Sequence, residues 1–270
     1  MPTPTHQRAH GRAVLHVNHA PGGARIADLF QAAPLRWLFP DAESDEPRSG
    51  ALVNVAGGLA GGDSLDIALG LGPRAAFTAT TPAAEKVYRS LGAATLIRSR
   101  VTLAPGAIGE WLPQETILFD AARLDRRLSL HVEDGSRLLA AEMVAFGRVA
   151  HGERFSRGAL LDSWRVRSAG RLIWADALRL DDPVAAAGRF GLAGATAAAT
   201  LLLAAPDADT HRTLARDLSA GAASMVAPGL LVARWLGEAS AVRTSLGEAI
   251  CRLRQAALGH PARLPRLWRT

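Results

Sequence analysis

Four acidic side chains occupy positions that the pattern of this 270-residue chain otherwise gives to apolar residues. Asp176 shares one face of a strand-like segment with leucine and tryptophan, since alternate residues of a strand point to the same side. Glu142 lies in 138–146, which is apolar on both faces and is therefore expected to be buried on both sides. Glu110 and Asp162 alternate with apolar neighbours in the same way. The pattern thus predicts several carboxylates inside one β domain.

A buried, ionised carboxylate costs several kcal/mol of stability unless it is paired or hydrated. One explanation is pairing with arginines such as Arg89, Arg100 or Arg165. The other is a hydrated interior passage or cleft lined by oxygen ligands. The sequence leaves both explanations open.

The histidine and cysteine residues of the chain are not spaced as the ligands of a tight metal site. The chain has eight histidines and one cysteine, with no His-x-His, His-x₃-His or cysteine cluster in the folded region. A tight zinc or nickel site is therefore not predicted, whereas weak and exchangeable binding by oxygen ligands remains open. Catalytic motifs are equally scarce: Gly-x-Ser-x-Gly is absent, and Cys251 has no histidine near it in sequence. A two-carboxylate hydrolase stays open, because its acids need only meet in space.

The stretch 57–63 concentrates four glycines before Asp63. It is neither a Walker A loop nor a dinucleotide fingerprint, because the required spacing and the following helix are missing. One interpretation is a backbone that needs positive φ or close approach to a neighbour. The other is a groove formed by the glycines, with Asp63 at its mouth.

Closely spaced strand candidates, separated by glycine or proline, position these residues. Pro105-Gly106 predicts a turn and Asp134-Gly135 a hairpin turn. No helix is predicted before residue 200, apart from a possible single turn at 82–86 that begins at a proline. Beyond it, apolar residues at helical spacing predict helices over 207–219 and 242–257, ended by glycines.

The predicted fold class is therefore mainly β (α+β), a large multi-stranded β domain with a smaller C-terminal helix-containing part. Residues 1–10 are interpreted as a disordered tail and 11–200 as the β-rich domain. Residues 201–270 are expected to form an α+β part packed on the first.

Composition narrows the classes of function. The formal net charge is +6, but aromatic residues make up only 5% and the arginines are scattered along the chain. Nucleic-acid binding is therefore not expected. No export signal is predicted at the N-terminus, and the longest apolar run, 191–205, is too short and too rich in alanine and glycine to span a bilayer. With a single cysteine, the chain suits a reducing compartment, and a cytoplasmic location is expected.

Several longer motifs occur in an order and at a spacing that fit nearly the whole chain. They are Gly57-Gly-Leu-Ala-Gly-Gly-Asp63, Thr80-Thr-Pro-Ala-Ala-Glu-Lys-Val-Tyr-Arg-Ser90, Glu110-Trp-Leu-Pro-Gln-Glu-Thr-Ile-Leu-Phe-Asp120, Phe146-Gly-Arg-Val-Ala-His-Gly-Glu153 and Leu264-Pro-Arg-Leu-Trp-Arg-Thr270. With these motifs the sequence resembles the UreD (UreH) family of urease accessory proteins.

The resemblance implies a β-rich, non-enzymatic scaffold that binds apo-urease and recruits a UreF-type partner, which in turn carries a UreG-type GTPase. It also implies that Ni²⁺ passes in transit through an internal acidic passage, with no tightly bound cofactor. The passage residues correspond to Asp63, Glu142 and Asp176, and strand alternation independently places the last two inside. At Glu85 this chain departs from family members that have a small residue there.

Overall fold

The computed structural model describes residues 8–41, 43 and 45–269. In this part of the chain there are seventeen strands and three α-helices. The strands are β1 (His10–Ala20), β2 (Gly23–Ala32), β3 (Leu35–Leu38), β4 (Ser49–Asn54), β5 (Ser64–Leu71), β6 (Ala76–Thr80), β7 (Glu85–Val87), β8 (Thr95–Leu103), β9 (Ile108–Leu112), β10 (Thr116–Leu118), β11 (Arg123–Val132), β12 (Arg137–Phe146), β13 (Ala159–Ser168), β14 (Arg171–Leu180), β15 (Ala197–Ala204), β16 (Ala223–Ala227) and β17 (Leu230–Gly237). The helices are α1 (Pro183–Ala186), α2 (Arg212–Leu218) and α3 (Ala239–Leu253).

The strands form two sheets. The first has seven strands in the order β14-β13-β11-β8-β5-β1-β2. The second has ten, of which eight follow the order β16-β17-β15-β12-β9-β6-β4-β3, with β10 and β7 joined to its side. From β4 to β13, the long strands alternate between the sheets, and each pairs in parallel with the equivalent strand of the next turn. Parallel neighbours need a crossover, and here each crossover runs through the opposite sheet, so the chain winds as a flattened coil.

Equivalent corners of this coil stack on one another. Arg74, Gly106 and Gly135 all have left-handed φ values, of 58°, 70° and 68°. The N–H of Arg74 donates to the carbonyl of Pro105 at 3.2 Å, and the N–H of Gly106 donates to that of Asp134 at 3.2 Å. The hairpin predicted at Asp134-Gly135 is wrong, because β11 and β12 belong to different sheets. The same turn chemistry serves a corner between sheets as well as a hairpin.

Two apolar layers hold the molecule together. One lies between the two sheets, and the other lies between the second sheet and the C-terminal helices. β12 faces both layers and is buried along nearly its whole length, as its apolar pattern predicts. Residues of α3 such as Leu246, Ile250 and Leu253 fill the second layer. The predicted mainly β fold with a smaller helix-containing C-terminal part is confirmed.

The structure corrects the helix predictions in two places. The short helix α1 precedes residue 200, with the Asp182 side chain accepting from the N–H groups of Val184 and Ala185. The single helical turn considered at 82–86 does not form, and the strand β7 begins at Glu85 instead. The helical segment predicted at 242–257 is confirmed as α3 and a π-helical turn, which ends at Gly259 with φ of 69°.

The predicted boundaries of the N-terminal tail and of the two parts of the chain differ from the observed elements. Residues 1–7 of the predicted tail lie outside the described residues, while β1 already begins at His10. The boundary placed between 200 and 201 falls within β15, so the two predicted parts share the second sheet. None of the helices among the described residues combines the length and apolar character that crossing a membrane requires.

Candidate functional site

The two sheets diverge where β14 of the first faces β15 and β17 of the second. The space between them is a cleft of about 910 Å³, which we call the edge cleft. Its charged lining residues are Glu142, Asp162, Asp176, Arg179 and Arg234, and Trp164 is among its apolar lining residues. Three of the four carboxylates that strand alternation placed inside therefore line one cleft.

A second space, the inner cavity, lies further along the interior between the sheets. It measures about 70 Å³, room for a few water molecules. Its lining includes Asn54, Glu85, Trp111 and Arg126, together with Glu142. Because Glu142 lines both spaces, it stands between the edge cleft and the inner cavity.

Arg126 organises the carboxylates at this junction. It lies on β11 directly opposite Asp162 of β13. Its Nε and Nη2 donate to the two carboxylate oxygens of Asp162 at 2.9 and 2.7 Å, and its Nη1 donates to Oγ1 of Thr116 at 3.0 Å. Its Nε also lies 3.2 Å from Oε2 of Glu142. The guanidinium thus gives its best-aligned hydrogen bonds to Asp162.

Glu142 is left with one oxygen that the protein does not satisfy. Oε1 accepts a hydrogen bond from Nε1 of Trp111 at 3.1 Å. Oε2 has no hydrogen-bond partner among the described residues. Burial raises the pKa of Glu142, and repulsion from Asp162 adds to this effect, while Arg126 opposes it. An unsatisfied carboxylate oxygen in a buried site is available to a water molecule or a cation.

Asp176 lies at the mouth of the edge cleft, with 36% of its side chain exposed. Nη2 of Arg234, on the opposite sheet, donates to its Oδ2 at 2.5 Å. This ion pair spans the gap between β14 and β17. Leu172, predicted on the same face as Asp176, is instead exposed, because β14 has an irregularity beside it in the pairing with β13.

Glu85 lines the far part of the inner cavity. Both of its carboxylate oxygens accept from the side-chain amide of Asn54 at 3.1 Å, and one also accepts from the N–H of Lys86 at 3.1 Å. Burial is the largest influence on its pKa and raises it to about 7, against these hydrogen bonds. The residue at which this chain departs from the expected small side chain therefore adds an acid to the cavity wall.

Asp63 lies apart from both spaces and is not among their lining residues. Its Oδ1 accepts from the N–H of Ala9 at 2.9 Å and its Oδ2 from the N–H of Ala60 at 2.7 Å. The carboxylate thus ties the glycine stretch to the segment before β1. The role of Asp63 in a passage stays a prediction.

The glycine stretch itself packs closely on the segment that follows β7. A Cβ at Gly58 would lie 2.6 Å from the Tyr88 ring, and one at Gly61 would lie 2.2 Å from Oγ of Ser90. Gly58 also has a φ of 145°. Close approach and positive φ explain these two glycines, in line with the first of the two interpretations.

Glu110 is buried as predicted but faces the other apolar layer, between the second sheet and the C-terminal segment. Nε of Arg254 donates to its Oε1 at 2.6 Å, and Thr78 and His260 contact its Oε2. Burial raises the pKa of Glu110, but the hydrogen bonds from His260 and Arg254 outweigh that effect and leave it below its usual value. This carboxylate is fully engaged and lines neither space.

The pairing explanation for the buried carboxylates is therefore correct in kind, but the suggested partners are wrong. The partners are Arg126, Arg234 and Arg254. Arg126 could have been noticed, because it lies on the apolar face of β11 between Leu124 and Leu128. In the described ranges, no three histidine, cysteine or acidic side chains gather in a group that could hold a metal ion.

Comparison with known proteins gives a consistent result. The family described as UreD urease accessory protein matches residues 9–269. Urease accessory protein UreD of Granulibacter bethesdensis is 49% identical over 237 residues, which cover 86% of this chain and 99% of the relative. Urease accessory protein UreD 1 of Methylobacterium radiotolerans is 45% identical over 279 residues, covering 99% of this chain and 94% of the relative. That of Magnetococcus marinus is 44% identical over 259 residues, covering 92% and 89%.

Proposed function

The chain belongs to the UreD family of urease accessory proteins, and on that basis we propose that it is a non-enzymatic scaffold for nickel insertion into apo-urease. Family membership over nearly the whole chain is the observation that carries this proposal. In it, the protein binds the urease apoprotein and a UreF-type accessory protein in the cytoplasm, and through the latter a UreG-type GTPase. It acts as a chaperone of urease maturation and takes no part in urea hydrolysis.

The interior supplies a route for Ni²⁺ as cargo. In this proposal the ion enters or leaves at the edge cleft beside Asp176, passes Glu142 and reaches the inner cavity beside Glu85. The support is geometric: Asp176 and Glu142 line the same cleft, and Glu142 also lines the inner cavity. No tightly bound cofactor is needed for this role.

The chemistry of the lining suits transit better than storage. Carboxylate and water oxygens bind Ni²⁺ less tightly than imidazole or thiolate does. Arg126 and Arg234 partly neutralise the negative charge of the acidic residues. This further lowers the affinity of the route for a divalent cation. Among the buried carboxylate oxygens of the described residues, only Oε2 of Glu142 is left without a hydrogen bond. A single such ligand would bind the ion briefly and release it.

The β-rich, carboxylate-dependent hydrolase that the sequence left open has no observation in its favour. Glu110, Glu142, Asp162 and Asp176 each lie against an arginine. A hydrolase would turn over glycosides or esters without any partner, which a direct assay of the isolated chain would detect.

The proposed function is tested by co-expressing a urease operon with and without this chain. With the chain present we expect active urease that contains nickel, and without it urease protein of low activity and low nickel content. Equal activity and nickel content in the two cultures would contradict the proposal. Co-purification of the tagged chain with urease and with a UreF-type protein tests the assembly separately.

A further inference from the structure

The outer face of the seven-stranded sheet carries a concentration of positive charge. On the three adjacent strands β8, β11 and β13, the outward-pointing side chains include six arginines and one acidic residue, Asp125. We call this surface the arginine face. Its arginines are Arg98, Arg100, Arg123, Arg127, Arg165 and Arg167. The helices α2 and α3 pack on the other sheet, so they leave this face uncovered.

Strand register brings these arginines together from distant parts of the sequence. Arg98 lies directly opposite Arg127. Arg100 and Arg165 lie on either side of Ser129 in one row across the three strands. Neighbouring strands are about 4.8 Å apart, so the arginines of one row lie roughly 5–10 Å from each other. The scattered arginines of the sequence thus become one patch.

Most arginines of this patch have no ion-pair partner, although Asp66 of β5 lies directly opposite Arg98 in the strand register. Arg127 pairs with Asp125, with Nη2 and Oδ2 2.7 Å apart. The other five arginines form no ion pair with any described residue. Burial lowers the pKa of His131, and the charges of Arg100 and Arg167 lower it further. A histidine in the middle of the patch therefore experiences its positive field.

A depression of about 440 Å³ lies within the arginine face. Small residues such as Ala175 and Ala177 line it, together with Arg127, Arg165 and Asp176. The carboxylate of Asp176 is paired with Arg234 of the other sheet. Ser163 also lines it and is only 5% exposed. The Oγ of Ser163 has no hydrogen-bond partner among the described residues. A buried, unsatisfied hydroxyl next to an unpaired guanidinium is a site for an oxyanion.

We propose that the arginine face is a docking surface for a protein partner with an acidic surface, and that a carboxylate side chain of the partner enters this depression. There the carboxylate accepts hydrogen bonds from Arg165 and from the hydroxyl of Ser163. The flat, charged face gives the encounter its orientation and rate, and the depression gives it a fixed register. The depression borders Asp176, which also lines the edge cleft, so docking takes place beside the mouth of the proposed route.

An acidic protein fits the face better than a nucleic acid does. None of the outward positions of β8, β11 and β13 carries a phenylalanine, tyrosine or tryptophan on which a base could stack. The major groove of duplex DNA admits a helix or a two-stranded ribbon, and not a broad sheet. The planar fork of arginine matches a carboxylate in two parallel hydrogen bonds. Nucleic-acid binding is the competing outcome of the test.

The probe is fluorescein-labelled poly-L-glutamate of about 20 residues, titrated with the full chain at low salt and followed by fluorescence anisotropy. The test variant is Arg100→Glu/Arg165→Glu. The matched control is Arg212→Glu/Arg216→Glu, which changes the net charge equally on the exposed side of α2. We expect the test variant to lose roughly tenfold or more in affinity and the control to stay within about twofold.

Three further measurements complete the test. Ser163→Ala should weaken binding less than the charge reversal does. If Arg100→Glu/Arg165→Glu fails to fold, Arg100→Gln/Arg165→Gln takes its place, and it should also weaken binding although it adds no repulsion. An equal loss in the test and control variants, or no binding by the unmodified chain, would overturn the proposal. So would tighter binding of a 20-base-pair DNA duplex that the same variant abolishes, because the face would then serve nucleic acid. The readout is binding rather than urease activation, so it can fail while the proposed function holds.

Discussion

Two buried arginines, Arg126 and Arg254, hold carboxylates in different layers of the molecule. Arg126 is 4% exposed and lies between the sheets against Glu142 and Asp162. Arg254 is 0% exposed and contacts Glu110 from the C-terminal segment, on the far face of the second sheet. Each centre has one guanidinium and two carboxylates, and yet they differ in how completely their oxygens are satisfied.

At the Arg254 centre, both oxygens of Glu110 accept hydrogen bonds, from Arg254 and from Thr78. Glu110 also receives a contact from His260, and Glu46 receives Nη2 of Arg254 at 2.5 Å. At the Arg126 centre, Glu142 receives only the indole of Trp111 and a poorly aligned guanidinium, and its pKa is raised rather than lowered. The number of donors around a carboxylate, and not its burial, separates a closed structural pair from a site that can take up water or an ion.

Loss of Arg254 should have the largest effect. Arg254→Met leaves Glu110 buried without its main partner, so we expect the free energy of unfolding to fall by about 3–5 kcal/mol. Urea denaturation followed by circular dichroism measures the change. The double variant Arg254→Met/Glu110→Gln should recover part of the loss, because the unpaired charge is removed. A loss below about 1 kcal/mol in the single variant would mean that the centre is not closed.

Loss of Arg126 should cost less, about 2–3 kcal/mol near pH 7. Glu142 already has a raised pKa and adjoins two spaces that water can occupy, so it can take up a proton when its partner is removed. The loss in Arg126→Met should therefore shrink as the pH falls from 8 to 5.5, which urea denaturation at several pH values would show. A cost independent of pH and equal to that of Arg254→Met would make the two centres equivalent.

The oxygen of Glu142 that has no hydrogen bond, Oε2, leads to a functional prediction. Glu142→Gln should lower urease activation several-fold at limiting nickel, because an amide is a weaker ligand for a divalent cation than a carboxylate. Activity and nickel content of urease from the co-expressed operon provide the measurement. Asp176→Asn at the cleft mouth should act in the same direction but less.

The control for this prediction is Glu248→Gln, the same substitution at an exposed position of α3 that lines neither space. It should leave activation unchanged, and excess nickel should narrow the deficit of Glu142→Gln. Normal activation by Glu142→Gln at limiting nickel, with the accessory complex intact, would remove Glu142 from the route.

These contrasts show what the sequence could and could not supply. The inward positions of Glu110, Glu142 and Asp162 were predictable, because the alternation of side chains along a strand is local. Their partners were not, since Arg126 and Arg254 lie 16 or more residues away and are brought in by register and by a C-terminal turn. Likewise, the burial of Glu142 was predictable. That Oε2 of Glu142 lacks a hydrogen bond was not, because it depends on Arg126 donating to Asp162 and Thr116 instead.

The coiled arrangement of the strands could not be predicted from the sequence either. Its corners, at 72–75, 104–107 and 133–136, share a left-handed residue but little else, and glycine or an Asp-Gly pair at such a place is equally typical of a hairpin. Leu172 was placed inside because strict alternation was assumed, and the irregularity in β14 shifts it outward. Bulges and corners depend on packing between sheets, which a single-strand pattern does not contain.

Glu85 gives the prediction with the smallest expected effect. It is an acid that lines the inner cavity and forms no ion pair with an arginine among the described residues. Its pKa rises from 4.5 to about 7 on folding, so the folded chain binds a proton more tightly than the unfolded chain does. Stability therefore falls as the pH rises from about 4.5 to 7 and then levels off. Glu85→Gln keeps an acceptor for Asn54 but cannot ionise, so it should be more stable than the unmodified chain above pH 7, by about 1–2 kcal/mol after allowance for partial exposure.

The measurement is the difference in unfolding free energy between Glu85→Gln and the unmodified chain from pH 4.5 to 8.5. The difference should be near zero at the acid end and grow through the window in which folded Glu85 loses its proton. Glu115→Gln is a useful contrast, because Glu115 pairs with Arg243 and its loss should destabilise the chain at neutral pH. If the difference for Glu85→Gln were flat across the range, Glu85 would be ionised and hydrated in the fold, and the inner cavity would be wetter than its apolar walls suggest.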